Sequence, residues 1–391
     1  MTERANLVYL DYAASTPVDP WVAEAMAALM TADGNYANPS STHIAGRRSV
    51  EHIEHATGQL AGLLNTAPEC LIWTSGATES DNLAILGAAH YRQDRGRHLV
   101  TMRTEHKAVT DPFKALQKQS FDVTWLDPEA DGLLDLAKLK AALRSDTQLV
   151  SIMHVNNETG IIQDIRRIGE LCREHGCLLH VDAAQSVGKL PIDLATLPLD
   201  LMSMTAHKVY GPKGIGALYI APRPGVHVEP LLFGGGQQRK LRPGTLPAQQ
   251  IVGFGAAAAI AQSRMSDDFR HLSAMRERLW SGIRDIPGIS TNGAIESAFP
   301  GILNVSIEDI EGESLLLALE PLCVATGSAC NSKTQEPSYV LRALGRSDEL
   351  AQSAIRFSFG RPTRPQDIDL AIDLYRNAVA RLRGMSPERA A

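Results

Sequence analysis

Three short segments, each closing an apolar run, hold residue types that can do chemistry together. His180-Val181-Asp182-Ala183-Ala184-Gln185 sets a carboxylate at the end of such a run. Burial there is costly unless a cation or hydrogen-bond donors meet it. A structural salt bridge would answer that need, and so would a protonated heterocyclic nitrogen. The next run ends in Thr205-Ala206-His207-Lys208, followed by Gly211-Pro212-Lys213-Gly214. A lysine at a strand end can hold an aldehyde as a Schiff base. Lys213 is the rival amine, but its glycine-flanked turn reads as solvent-exposed.

Upstream, Thr74-Ser75-Gly76-Ala77-Thr78-Glu79-Ser80-Asp81-Asn82 follows an apolar run and opens a helical pattern. Free backbone N–H groups there meet the positive end of the helix dipole, a setting that suits an anion. Gly76 permits close approach and Thr78 adds a hydroxyl. Taken alone, the segment reads equally well as an ordinary helix cap. With a lysine and an aspartate on neighbouring strand ends, the set matches what pyridoxal phosphate requires. The lysine holds the aldehyde, and the carboxylate keeps the ring nitrogen protonated so that the ring accepts electrons.

A fourth segment, Ala325-Thr326-Gly327-Ser328-Ala329-Cys330-Asn331-Ser332, places a cysteine among small and polar residues, the composition of an accessible loop. Cys323 sits in an apolar run and reads as packing. Cys172 and Cys177 read the same way, at a helix end entering a strand. The cysteine count is odd and shows no ladder of spacings, which suits free thiols in a reducing compartment. His52 and His55 share a helix face, but Glu51 and Glu54 beside them mark a solvated surface, so no metal site is expected.

Positioning these groups takes a sheet. Leu71-Ile72-Trp73, His98-Leu99-Val100, Val123-Thr124-Trp125 and Leu149 to Val155 read as buried strands, as do Leu178 to Val181, Leu201 to Met204 and Ile215 to Ile220. Amphipathic stretches lie between them, such as Val50, Ile53, Leu60 and Leu64 at helical spacing. The alternation predicts an α/β fold with a mostly parallel sheet covered on both faces. Ligands in such folds bind beyond the C-terminal strand ends, where the chemical residues fall.

After about Gly253 the texture changes to an Ala-rich helix, Gly255 to Met265, and a charged helix, Phe269 to Arg284, ahead of shorter elements. The expected division is a large domain over 16–260 and a smaller α+β domain made of 1–15 and 261–391. The chain has 391 residues, a net charge of −6 and a charged fraction of 21%, ordinary for a globular enzyme. That balance provides no basic field for holding nucleic acid directly. The N-terminus carries no apolar signal core and no stretch reaches membrane-spanning length, so a cytoplasmic location is expected.

Several long runs resemble the group I cysteine desulfurases of the NifS/IscS type, in family order nearly to the C-terminus. They include Tyr9-Leu10-Asp11-Tyr12-Ala13-Ala14, Thr104-Glu105-His106-Lys107-Ala108-Val109 and His154-Val155-Asn156-Asn157-Glu158-Thr159-Gly160. Ser186-Val187-Gly188-Lys189-Leu190-Pro191-Ile192-Asp193 and Glu336 to Leu344 belong to the same set. The resemblance implies a PLP-dependent transferase fold of type I, with a seven-stranded sheet in the large domain. It implies Lys208 as the Schiff-base lysine, Asp182 as partner of the ring nitrogen, and His106 as a stacking acid/base group. Asn157 and Gln185 would bond around the ring hydroxyl, while Ala77, Thr78, Thr205 and His207 would hold the phosphate. Thr245 would reach the phosphate of a neighbouring subunit, which implies a homodimer. Asn35 and Arg356 would hold the substrate carboxylate, and Cys330 would carry sulfur from L-cysteine as a persulfide, passing it to an acceptor protein.

That acceptor would be an iron–sulfur scaffold or an enzyme of tRNA or DNA thiolation. Thr205 and Pro243 stand where the family commonly has serine, and the chain stops at Ser386 to Ala391 where housekeeping members continue. Other readings of the same fold are a transaminase or lyase, which would need no loop cysteine. A catalytically silent scaffold for sulfur-transfer partners is a further alternative.

Overall fold

The computed structural model of the chain describes residues 7–326 and 336–385. Seven strands form the central sheet, in the spatial order Leu71–Thr74, Gly216–Ile220, Leu201–Thr205, Leu178–Asp182, Thr147–Ser151, His98–Met102 and Asp122–Leu126. Four of the six neighbouring pairs are parallel; Gly216–Ile220 runs antiparallel to both of its neighbours. The inner strands are buried along their whole length. Such strands read as continuous Val, Leu and Ile runs rather than alternating ones. The run predicted from Leu149 to Val155 is shorter as a regular strand and ends at Ser151. Beyond it, Ile152 and His154 still donate to the carbonyls of His180 and Asp182, while Met153 N–H turns to the Glu105 carboxylate.

A second, antiparallel sheet has the order Ala325–Thr326, Ile355–Ser358, Ile302–Ile307 and Ile289–Thr291. The N-terminal segment joins this half of the molecule. Val8 and Tyr9 pair with Leu322 and Cys323, and Asp11 bridges to Ser358. Two hydrophobic cores follow, one around the large sheet and one around the small sheet with the helix Pro365–Met385.

The two helices expected after Gly253 are a single helix, Ala248–Ile283, of 36 residues. At 1.5 Å per residue it spans about 54 Å. Ser266-Asp267-Asp268, the expected break, holds no glycine or proline, so nothing in it stops the backbone ladder. Ile251, Phe254, Ala257 and Ala261 of this helix enter the first core, and Leu272, Met275, Leu279 and Ile283 enter the second. One rigid rod thus ties both cores together.

Candidate active site

Three chain crossings end on one cavity. The strand Leu71–Thr74 runs through Ser75 and Gly76 into the helix Ala77–Tyr91, whose N-cap Gly76 provides no side-chain hydrogen bond. Glu79 closes the turn from below, accepting from the Ser75 N–H at 2.7 Å while Arg242 Nε donates to its other oxygen at 3.0 Å. Gly216 on the adjacent strand lies so close that a Cβ there would stand 2.6 Å from the Gly76 backbone. The helix N-terminus is therefore left open toward the cavity, between two strands with no intervening side chain.

Asp182 ends its strand with Oδ1 accepting from Ala184 N–H at 2.9 Å. Thr205 ends the neighbouring strand and leads into the single turn Ala206–Lys208. His106 caps the helix Lys107–Gln117, with Nδ1 accepting from Ala108 N–H at 3.1 Å. That bond places the ring proton on Nε2. Burial holds His106 below the usual imidazole range, partly offset by Asp182 and reinforced by Lys208. Burial also takes His207 down to about 4, helped by Lys208, Lys213 and Lys189. Both rings are neutral at pH 7.

The cavity measures about 520 Å³, and Ala77, Thr78, His106, Asn157, Asp182, Gln185, Thr205, His207, Lys208 and Arg356 all line it. Lys213 is exposed and stands on the same lining. Arg356 lies in the strand Ile355–Ser358, where Nη2 meets Asp11 Oδ1 at 2.7 Å and Nη1 donates to the Asn157 carbonyl at 2.8 Å. Its Nε is buried without a hydrogen-bond partner. Asn35 is absent from the cavity lining, and its amide nitrogen instead contacts His52 Nε2 at 2.8 Å. Thr245 also stands off this lining, in the loop that Arg242 anchors to Glu79. Cys330 lies outside the described residues; Cys70, Cys172 and Cys177 are buried and Cys323 is half-buried.

Two acids, Asp81 on the cavity lining and Glu105 behind it, were given no role by the sequence reading. Asp81 and Glu105 are fully buried, and burial pushes both well above the ordinary carboxylate range, with Asp182 adding to the effect. Asp81 Oδ1 lies 3.6 Å from His180 Nε2, and His180 is itself bonded to Ser151 and Ser203. Their local sequence looks like helix capping and turn, so the signal lay only in charged residues inside otherwise apolar packing.

The residues present fit pyridoxal phosphate. The open helix end and the glycine cradle would take the phosphate, Asp182 the ring nitrogen, and Lys208 the aldehyde.

A family model described as aminotransferase class-V matches residues 8–370. A curated relative, "Cysteine desulfurase IscS" of Enterobacter sp. (strain 638), is 54% identical over 381 residues, covering 97% of this chain and 94% of its own. A solved structure described as a NifS-like protein superposes with TM-score 0.90 at 34% identity, covering 96% of this chain and 100% of that one. Another, SspA in complex with cysteine, gives TM-score 0.79 at 38% identity over 90% of this chain and 98% of that one. Fold and site together define a pyridoxal-phosphate enzyme of the class-V aminotransferase kind. The chain belongs to that family, on its cysteine desulfurase branch.

Proposed function

We propose that the cavity around Lys208 takes sulfur from L-cysteine, releasing L-alanine and leaving the sulfur on Cys330 as a persulfide. The observation that carries this reading is the convergence of Lys208, Asp182 and His106 on one cavity whose far end is an uncapped helix N-terminus.

When bound, pyridoxal phosphate supplies an electron sink that makes the substrate sulfur electrophilic. Asp182 provides the negative charge that keeps the ring nitrogen protonated. Lys208 would hold the group through its amine and would serve as the base that moves a proton at the substrate carbon. His106, neutral with its proton on Nε2, would lie against the bound ring and serve as the second acid/base group. Arg356 binds the substrate carboxylate through a guanidinium already held in plane by Asp11 and the Asn157 carbonyl, with Nε still unmet. Asn35 would join it only after leaving His52.

The Cys330 thiolate then attacks the substrate sulfur. A sulfur–sulfur bond forms, the substrate carbon–sulfur bond breaks, and the carbon takes up a proton, so free cysteine becomes alanine. The sulfur passes from Cys330 to an acceptor protein, an iron–sulfur scaffold or a tRNA or DNA thiolation enzyme. Thr245 completes the phosphate site of a second copy, making the working unit a homodimer. Trp21 and Phe233, 74% and 88% exposed, are large apolar side chains that such an interface would cover. No helix among the described residues is long and apolar enough to cross a membrane, and we place the enzyme in the cytoplasm.

The test is direct. Borohydride reduction and peptide mapping should label Lys208, and L-cysteine alone should yield alanine with a sulfur atom added to the peptide carrying Cys330. Cys330→Ser should still bind cofactor and change its spectrum with cysteine, yet release no alanine. Label on Lys213, or alanine released by Cys330→Ser at the wild-type rate, would overturn the reading.

A further inference from the structure

The segment after Asp182 contains a lysine that none of the steps above uses. Gly188 has φ +72°, and a Cβ there would meet Val209 Cγ2 at 2.4 Å. Only glycine allows the turn to pack this closely beside the residue that follows Lys208. The next residue, Lys189, is turned back toward the cavity wall. Its Nζ donates to Gln185 Oε1 at 2.9 Å, and the Gln185 amide nitrogen donates to the Ala13 carbonyl at 2.8 Å.

The Ala13 carbonyl only accepts, so the amide nitrogen must face it. That leaves the amide oxygen for Lys189, which donates in either charge state. The opposite flip would set the amide oxygen against the Ala13 carbonyl. Gln185 is 3% exposed and lines the main cavity. A wrong orientation would therefore leave buried polar groups facing each other without a hydrogen bond. Its second N–H remains to be offered.

We infer that Lys189 is a positioning residue that locks Gln185 as a hydrogen-bond donor toward an oxygen substituent of the bound cofactor. The inference rests on the reading of this cavity as the pyridoxal-phosphate site. Among the described residues no carboxylate acts on Lys189; its Nζ also lies 5.7 Å from the centroid of the Phe299 ring. Lys208 and Arg356 are the cations acting on it, and Tyr12, Tyr210, Asp268 and Arg361 share the small second cavity that Lys189 lines. Asp268 is already engaged by Arg361 at 2.6 Å. Burial first, then Lys208 and Arg356, pull Lys189 down to about 7. Its hydrogen bond to Gln185 survives loss of the charge, because a neutral amine still donates.

Lys189→Met keeps the length of the side chain and removes the donor. Cofactor affinity is read by titrating the apoenzyme with pyridoxal phosphate, and the visible absorption of the loaded protein is followed against pH. We expect about tenfold weaker cofactor binding, the scale of one lost buried hydrogen bond, and a displaced midpoint of the absorption titration. Lys189→Arg, which can still donate, should recover part of both. In a Gln185→Leu background, Lys189→Met should add nothing further, since the amide it orients is gone. Thermal melting of the apoproteins checks the fold, and Lys189→Leu, which also lacks a donor, replaces the methionine variant if that one does not fold. An unchanged affinity and titration in Lys189→Met, or the same loss with and without Gln185, defeats the inference. A wild-type protein that binds no cofactor defeats instead the reading of the cavity.

Discussion

Arg356 and Asp11 are 345 positions apart in the chain, yet Arg356 Nη2 stands 2.7 Å from the Asp11 carboxylate at the wall of the cavity. The pair is largely buried, with side-chain exposures of 9% and 22%. It fixes a planar fork beside the place where a substrate carboxylate must lie.

Arg356→Ala should therefore raise KM for cysteine by about 10- to 100-fold, the range of a charge-assisted hydrogen bond lost from a buried site. Arg356→Lys should recover little of it, because an ammonium cannot hold Asp11, Asn157 and a substrate oxygen in one plane. Steady-state kinetics decides this; an unchanged KM in Arg356→Ala removes the residue from substrate binding.

His106 makes a kinetic prediction with a defined sign. Burial depresses its affinity for protons, so the neutral ring persists below pH 6.5. The acid limb of kcat/KM assigned to it should lie below that value. His106→Gln should lower kcat by about 10²- to 10⁴-fold and erase that limb. A limb that survives the substitution belongs to another group.

Glu158 is 7% exposed, its carboxylate accepts from Ser338 Oγ at 2.5 Å, and burial pushes it up to about 7, against smaller opposing effects of Ser338 and Arg356. The folded value lies above that of the unfolded chain. Its contribution to stability is thus fully present below about pH 4.5 and is lost as pH rises through 7. Glu158→Gln should be more stable than wild type by about 1–3 kcal/mol at pH 8, with the difference closing near pH 5. Urea unfolding at the two pH values measures it, and a constant difference would show that Glu158 does not titrate in this window.

Thr245 tests the shared site. It lies off the cavity of its own chain. Subunits carrying Lys208→Ala mixed with subunits carrying Thr245→Ala should form hybrids with one doubly damaged and one intact site. Recovered alanine release supports a site built by two chains, provided Thr245→Ala alone is impaired. Hybrids with no recovery place Thr245 within its own subunit's work.

Much of this molecule is written locally. The seven strands, the glycine at Gly76, Asp182 at a strand end and Lys208 in the turn just after one follow from residue type and spacing. A strand buried on both faces must be continuously apolar, and a ligand group in such a fold must come just after it. The Cys330 assignment also rests on its small, polar neighbourhood in the sequence. Tertiary structure alone decided the rest. Whether Arg356 meets Asp11, whether Lys189 reaches Gln185 rather than solvent, and whether Asp81 and Glu105 are buried depend on contacts between distant segments. No periodicity encodes those contacts. The helix Ala248–Ile283 shows the same limit: its sequence changes character midway because it passes from one core to another, while the backbone, free of glycine or proline at that point, continues unbroken.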